Sequence, residues 1–381
     1  MSVNVIIAIP CLLKGGTEIQ TLQLVKVLCN LGYQPKIICY FEYDSTMVSE
    51  FNTNNCEVLL LKLNRNISSF KFIKTLKNVF KTNSSEIVHV QYMAPGMLPI
   101  VAARLAGVKK VLATVHQPYT MSHGKFAKLM LLFSALFCTR FLVVSKNAER
   151  SWFGSEQLLD ENFPLVKQSK HFTVYNSVNV ARIQEVKKRT LIKIEKAKLG
   201  ITSSYTVIGA VSRLRHEKGI DLLVQAFART LREHPSIHLL IVGTGPDEKK
   251  LKETSRQLGI QKNCTFYGEA NWEDAMKNMS LMDIVVVPSR FEGFGLTAAE
   301  AMAMGKPLVV SNANGLNELI THEVEGLVFK NGDVNDLYKN LNAIMIKSDQ
   351  KTYTSRAFKK VVRLFDITIF INKIQFLYKW V

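Results

Sequence analysis

Residues 288–307 read Pro288-Ser289-Arg290-Phe291-Glu292-Gly293-Phe294-Gly295-Leu296-Thr297-Ala298-Ala299-Glu300-Ala301-Met302-Ala303-Met304-Gly305-Lys306-Pro307. The residues just before them, Ile284 to Val287, form a continuous apolar run, the pattern of a parallel strand buried on both faces. Small apolar residues at helical spacing begin near Thr297. Between lies a glycine-rich loop joining the carboxyl end of a strand to the amino end of a helix. That is the place where an open α/β sheet takes its ligands. The loop offers backbone N–H groups and a positive helix end to an anion. Glu292 lies in the loop and Glu300 in the helix. Amides for phosphates and carboxylates for hydroxyls suit a phosphorylated, hydroxyl-rich ligand. Thr297-Ala298-Ala299-Glu300 also fits a capping box, with Glu300 folded back on its own helix start.

The same alternation extends outward from this stretch. In the second half, 206–211, 237–242, 264–267, 308–310 and 326–328 read as strands, with helical patterns over 220–234 and 247–258. In the first half, strand patterns at 3–9, 35–40, 58–61, 87–90, 111–115 and 141–144 alternate with helices over 17–31 and 97–106. Short strands separated by helices predict parallel sheets with right-handed crossovers. The expected fold class is α/β, with two doubly wound, Rossmann-like domains facing across a cleft that holds the active site. A charged helical segment over 180–198 marks the boundary, giving domains over 1–185 and 186–366 and a last helix over 367–381.

Three other places have residue types suited to chemistry. Gly15-Gly16-Thr17-Glu18 follows the first strand, where glycines let a ligand approach the backbone or simply make a turn before a helix. His116 ends the strand pattern 111–115, whereas His89 is read as packing. Arg213 and Lys218 lie in Val211-Ser212-Arg213-Leu214-Arg215-His216-Glu217-Lys218-Gly219, between a strand and a helix, where two fixed cations can neutralise a diphosphate. Gly243-Thr244-Gly245 is a poor dinucleotide fingerprint, because Glu248 stands at the third glycine position. It is read as a loop lining the nucleotide cleft. The sequence shows no convincing Asp-x-Asp metal motif.

The Glu292–Leu296 run followed by Glu300-Ala301-Met302-Ala303 and Gly305-Lys306-Pro307 resembles the donor-site motif of retaining GT-B glycosyltransferases, in family 4 (glycosyl transferases group 1). Arg213-Leu214 with Lys218-Gly219, the Gly15-Gly16 loop and Thr114-Val115-His116 are similar to further segments of that family. The resemblance implies a transfer of a hexose or N-acetylhexosamine from a nucleoside-diphosphate sugar, a UDP-sugar favoured, with no metal and no further cofactor. It assigns catalysis to Glu292 and His116. Donor binding falls to Gly15, Gly16, Arg213, Lys218, Gly243, Gly293, Phe294, Gly295, Leu296, Thr297 and Glu300, with Glu300 on the ribose hydroxyls. It also implies that the last helix crosses back onto the first domain. Three departures stand out: Ser212 for a glycine, Val174-Tyr175-Asn176-Ser177-Val178-Asn179 before the linker, and Asn314-Gly315-Leu316-Asn317-Glu318 after the motif.

Length and composition bound the rest. The 381 residues, 47% of them hydrophobic, suffice for two cores. No apolar run reaches membrane-spanning length; 129–144 reads as a short helix followed by a strand. A strand pattern begins at once, so no signal peptide is expected. The six cysteines form no Cys-x-x-Cys pair and read as reduced, buried thiols. A net charge of +18 favours acidic partners. Without a basic recognition helix or an RNA-binding aromatic motif, nucleic acid is not expected among them. A sugar-nucleotide epimerase or phosphorylase on the same scaffold is the rival enzyme.

Lys71, Lys74, Lys77 and Lys81 surround an apolar stripe of Phe72, Ile73, Leu76, Val79 and Phe80 at helical spacing. That helix either packs on its own sheet or lies at a membrane interface. Charge and resemblance together point to a glycan or lipid-diphosphate-linked acceptor in bacterial surface polysaccharide synthesis. The expected location is the cytoplasm, with a peripheral position at the anionic inner face of the cell membrane left open.

Overall fold

The computed structural model describes residues 3–93, 96–346 and 350–381. The chain forms two compact units, one running to Asn176 and completed by Thr368–Val381, the other Ser177–Ile367. In chain order the first unit contains β1 (Asn4–Ile9), α1 (Gly16–Asn30), β2 (Gln34–Cys39), α2 (Ser45–Thr53), β3 (Glu57–Leu60), α3 (Ser69–Thr82) and β4 (Ile87–Tyr92). It continues with α4 (Leu98–Leu105), β5 (Lys110–Val115), α5 (Gly124–Phe137), β6 (Arg140–Val143), α6 (Lys146–Phe153) and β7 (His171–Thr173). Its seven strands are all parallel, in the order β3-β2-β1-β4-β5-β6-β7.

The second unit begins with α7 (Val180–Arg189), α8 (Ile192–Lys198), β8 (Thr206–Val211), α9 (Ile220–Glu233), β9 (Ile237–Val242), α10 (Glu248–Gln257) and β10 (Cys264–Gly268). Then come α11 (Trp272–Leu281), β11 (Ile284–Val287), α12 (Leu296–Met304), β12 (Leu308–Ser311), α13 (Leu316–Leu319), β13 (Leu327–Phe329), α14 (Val334–Ile346) and α15 (Gln350–Leu364). The last helix is α16 (Ile367–Trp380). The six strands, again all parallel, run β10-β9-β8-β11-β12-β13.

Both sheets thus have the doubly wound order, in which the chain reverses direction across the sheet once. The switch points lie between β1 and β4 and between β8 and β11, and ligands of such sheets bind at the carboxyl ends of those strands. The central strands are apolar because helices cover both faces: every residue of β9 and β11 is buried. A boundary at 185/186 would fall inside α7, a continuous helix that packs on α11 and α12 of the second unit. The division lies instead at Asn176/Ser177.

The stripe of α3 faces inward. Phe72, Leu76 and Phe80 are buried in the first unit's core with Tyr40, Ile100 and Leu131. The Ser68 hydroxyl caps the helix by accepting from Lys71 N. Of the two readings of this helix, packing on its own sheet is the one the structure shows.

Candidate active site

The second unit's switch point brings two sequence-distant loops together. After β8, Ser212 to Gly219 turns back through a short 3₁₀ segment, His216–Lys218. Gly219 has φ 65°, and a Cβ there would lie 2.0 Å from the Pro288 carbonyl oxygen. Only glycine lets this loop close against the loop that follows β11. The contact is fixed by the backbone: Arg290 N donates to Glu217 O at 2.8 Å. The Arg290 guanidinium adds a bidentate pair with Asp221 (2.6 and 2.7 Å) and donates to His216 O (2.9 Å). Burial raises the Asp221 carboxyl, but the Arg290 hydrogen bonds outweigh it and leave the pKa below its ordinary value. The sequence alone assigned no role to either partner of this clamp, which spans 69 residues.

Inside the clamp, Lys218 Nζ meets Glu292 Oε2 at 2.8 Å, and Ser289 Oγ donates to the same oxygen at 3.2 Å. Lys218, Glu292, Ser289, Thr297, Ser212 and Val211 line a depression at the carboxyl ends of β8 and β11. The Ser212 hydroxyl is buried there and has no hydrogen-bond partner among the described residues. Arg213 lies on the exposed segment beside it. Gly243 follows β9, where its N–H donates to Gly268 O at 2.8 Å, and it is not among the residues lining the depression.

Gly293 to Leu296 lead into α12, whose N-cap is Gly295 at φ 105° with no side-chain cap. The backbone angle requires glycine here, and an added Cβ would also lie 2.6 Å from Leu316 Cδ2. Thr297 Oγ1 donates to Val211 O (3.2 Å), tying the first turn of α12 to β8. The capping box does not form. Glu300 turns away from the helix start and accepts from Trp272 Nε1 of α11 at 3.0 Å. Burial pushes its carboxyl up to about 7, against the lowering effect of the Trp272 hydrogen bond. The guanidinium of Arg182 stacks over the Trp272 ring at 4.2 Å. Trp272 was not anticipated, because nothing in local sequence couples it to a residue 28 positions later.

In the first unit, Gly15 caps α1 in extended geometry without a side-chain bond, and Gly16 begins the helix. Glu18 is buried and folds back to accept from Leu13 N at 3.3 Å. His116 follows the carboxyl end of β5. Its Nε2 is 2.6 Å from Gln91 Oε1 at the end of β4, and its Nδ1 is buried without a partner among the described residues. Burial lowers the imidazole to about 4, so the ring is neutral at neutral pH. With Oε1 as the acceptor, Nε2 carries the proton and Nδ1 a lone pair. His89 is a core residue, hydrogen-bonded to Tyr378 Oη and Thr114 Oγ1, each at 2.7 Å.

Two doubly wound units in one chain, each with glycine-opened loops after the strands of its switch point, are the organisation of a GT-B glycosyltransferase. The comparisons with known proteins lead to the same class and narrow it. The "Glycosyltransferase Family 4" model matches residues 14–155 and the "Glycosyl transferases group 1" model residues 192–361. This chain belongs to the family 4 type of GT-B glycosyltransferases.

One relative is the UDP-Gal:alpha-D-GlcNAc-diphosphoundecaprenol alpha-1,3-galactosyltransferase of Escherichia coli, 28% identical over 96% of this chain and 94% of its own length. An uncharacterized glycosyltransferase of Methanocaldococcus jannaschii is 39% identical over 34% of this chain, which is 33% of that protein. The lipopolysaccharide core biosynthesis mannosyltransferase LpsB of Rhizobium meliloti is 34% identical over 39% of this chain and 44% of its own. Among solved structures, HepE of Anabaena in complex with UDP superposes with TM-score 0.83 over the full length of both chains at 18% identity. A glycosyltransferase from Rickettsia africae has TM-score 0.79 and 22% identity, covering 99% of this chain and 98% of its own.

Proposed function

We propose that the protein moves a hexose or N-acetylhexosamine from a UDP-sugar, with retention of anomeric configuration, to a lipid-diphosphate-linked or glycan acceptor in bacterial surface polysaccharide synthesis. The observation that carries this reading is the Lys218–Glu292 pair at 2.8 Å, beside the uncapped amino end of α12 at the switch point of the second unit. A cation and a helix amino end suit a diphosphate, and a carboxylate one side chain away suits the hydroxyls of the sugar attached to it. UDP is favoured because HepE is solved with UDP and the E. coli relative is named for UDP-Gal. A lipid diphosphate is favoured as acceptor by that relative's name and by the net charge of +18.

In this reading the second unit holds the donor. Lys218, Arg213 and the amides of Gly293 to Leu296 take the diphosphate, and Glu300 takes the ribose hydroxyls. As the glycosidic bond lengthens, negative charge grows on the leaving diphosphate, and the two side-chain cations neutralise it in place of a divalent ion. Glu292 holds the sugar hydroxyls and stabilises positive charge at the anomeric carbon. Neutral His116 hydrogen-bonds the transferred sugar. Gly15 and Gly16 open the first unit's backbone to the donor's distal end. The acceptor attacks from the face the leaving group departs from, so configuration is kept without a covalent intermediate.

A thermal-shift screen with UDP, GDP and ADP tests the donor assignment. UDP should raise the melting temperature most, Lys218→Ala should abolish that rise, and EDTA should leave both the rise and turnover unchanged. An equal shift by all three nucleotides, or a full UDP shift in Lys218→Ala, would contradict it.

A further inference from the structure

The helix α5 presents its bulky side to solvent. Phe126, Leu129, Phe133 and Leu136 recur at spacings of three and four, which places them on one face. Their exposures are 72, 60, 45 and 66%. The opposite face, packed on the first unit, buries Leu131 and Ser134, with Ala127, Met130 and Ala135 partly buried. A helix that leaves its phenylalanines Phe126, Phe133 and Phe137 exposed is not explained by the core of its own unit. A contiguous apolar stripe of this kind marks a surface with a partner.

The charge around the stripe identifies the partner. From Ile87 to Ala148 the chain contains no Asp or Glu, and it contains Arg104, Lys109, Lys110, Lys125, Lys128, Arg140 and Lys146. Lys125 stands exposed at the amino end of α5. Arg104 Nε donates to Phe137 O at 2.6 Å and Lys170 Nζ to Leu136 O at 2.7 Å, setting two cations at the carboxyl end. Helix α4 packs against α5 and α3 against α4, and α3 carries the exposed Lys71. An apolar stripe with cations at both ends complements an anionic bilayer, with side chains in the acyl boundary and ammonium groups among the headgroups. A helix of 14 residues is about 21 Å long and cannot cross a hydrocarbon core of about 30 Å. Among the described residues, no helix is long and apolar enough to do so.

We propose that α5 is the element by which the first unit docks, lying flat, on an anionic membrane surface. This deepens the lipid-linked acceptor reading and rests on it for the choice of a bilayer over other anionic partners.

Flotation of the full chain with vesicles tests it. The wild type should float with phosphatidylcholine–phosphatidylglycerol vesicles, poorly with pure phosphatidylcholine, and less as salt rises. Phe126→Ser combined with Phe133→Ser should lower the partition at least tenfold, and Lys125→Glu severalfold. Both sites are exposed, so the variants should melt with the wild type, and the UDP thermal shift should stay in place. Absence of wild-type flotation, or flotation of the double variant at the wild-type level, would overturn the proposal. So would a wild-type dimer that the double variant converts to monomer without any vesicle binding, since a second copy would then cover the stripe. A UDP shift without flotation sinks the docking surface alone, whereas loss of the UDP shift in the wild type sinks the donor reading.

Discussion

Lys218 and Glu292 neutralise each other in the ligand-free protein, so an incoming diphosphate competes with a carboxylate for its cation. Glu292→Gln should therefore tighten UDP binding about two- to fivefold, the scale of a modest, partly buried ion pair, while stopping sugar transfer; calorimetry and a turnover assay on one preparation read both. Glu300 carries a different signature. Its folded pKa of about 7 lies above the ordinary carboxylate value, so between about 4.5 and 7 the folded state binds more protons than the unfolded one. Its contribution to stability is present below that window and is lost as pH rises through 7. Glu300→Gln should raise the melting temperature at pH 8, leave it nearly unchanged at pH 5, and weaken the UDP shift. An unaltered pH profile would mean that the carboxylate is ionised throughout. Lys218, Glu292 and Glu300 were legible in the sequence because each sits at fixed spacing from glycines that bound a strand–helix loop. Trp272 and the Arg290–Asp221 clamp were not, since only the folded sheet brings α11 to α12 and the β8 loop to the β11 loop.

At the scale of elements, loops fitted tightly around glycine hold the site. Gly219→Ala forces a Cβ into the Pro288 carbonyl and strains a left-handed backbone. It should cost about 2–4 kcal/mol of stability and remove the UDP shift, read by denaturant titration with and without nucleotide. Retention of both would mean that the two loops can separate without loss. Buried parallel strands such as β8, β9 and β11 were readable because they are largely apolar runs, unbroken in β11 and interrupted only by Gly209 within β8 and His238 within β9. The three-residue β7, His171–Thr173, carries no such run and was missed. The apolar run at 129–144 gave a helix and a strand, but composition alone cannot say which side of a nearly all-apolar helix faces the core. The lysine-rich α3 attracted attention as a membrane element, yet its stripe follows the helical period and fills its own unit's core. The exposed stripe belongs to α5.

At the largest scale, the chain returns to its first unit after completing the second. The first unit is completed by Thr368–Val381, and Tyr378 reaches the buried His89 across 289 residues of sequence. Tyr378→Phe leaves a buried ring nitrogen unpaired and should cost about 1–3 kcal/mol while sparing nucleotide binding in the second unit; a melting curve and a UDP shift separate the two. Two sheets, their parallel strands and the two-unit division were readable from alternation alone. The boundary at Asn176/Ser177 was not, because α7 is charged and its apolar stripe is only Val180, Ile183 and Val186, yet it packs on α11 and α12. The most direct test of the central claim is a crystal structure of the protein with UDP. The account predicts the diphosphate within hydrogen-bond distance of Lys218 Nζ and the amino-terminal amides of α12, with Lys218 drawn from Glu292. A nucleotide bound elsewhere, or one leaving the Lys218–Glu292 pair intact, would contradict it.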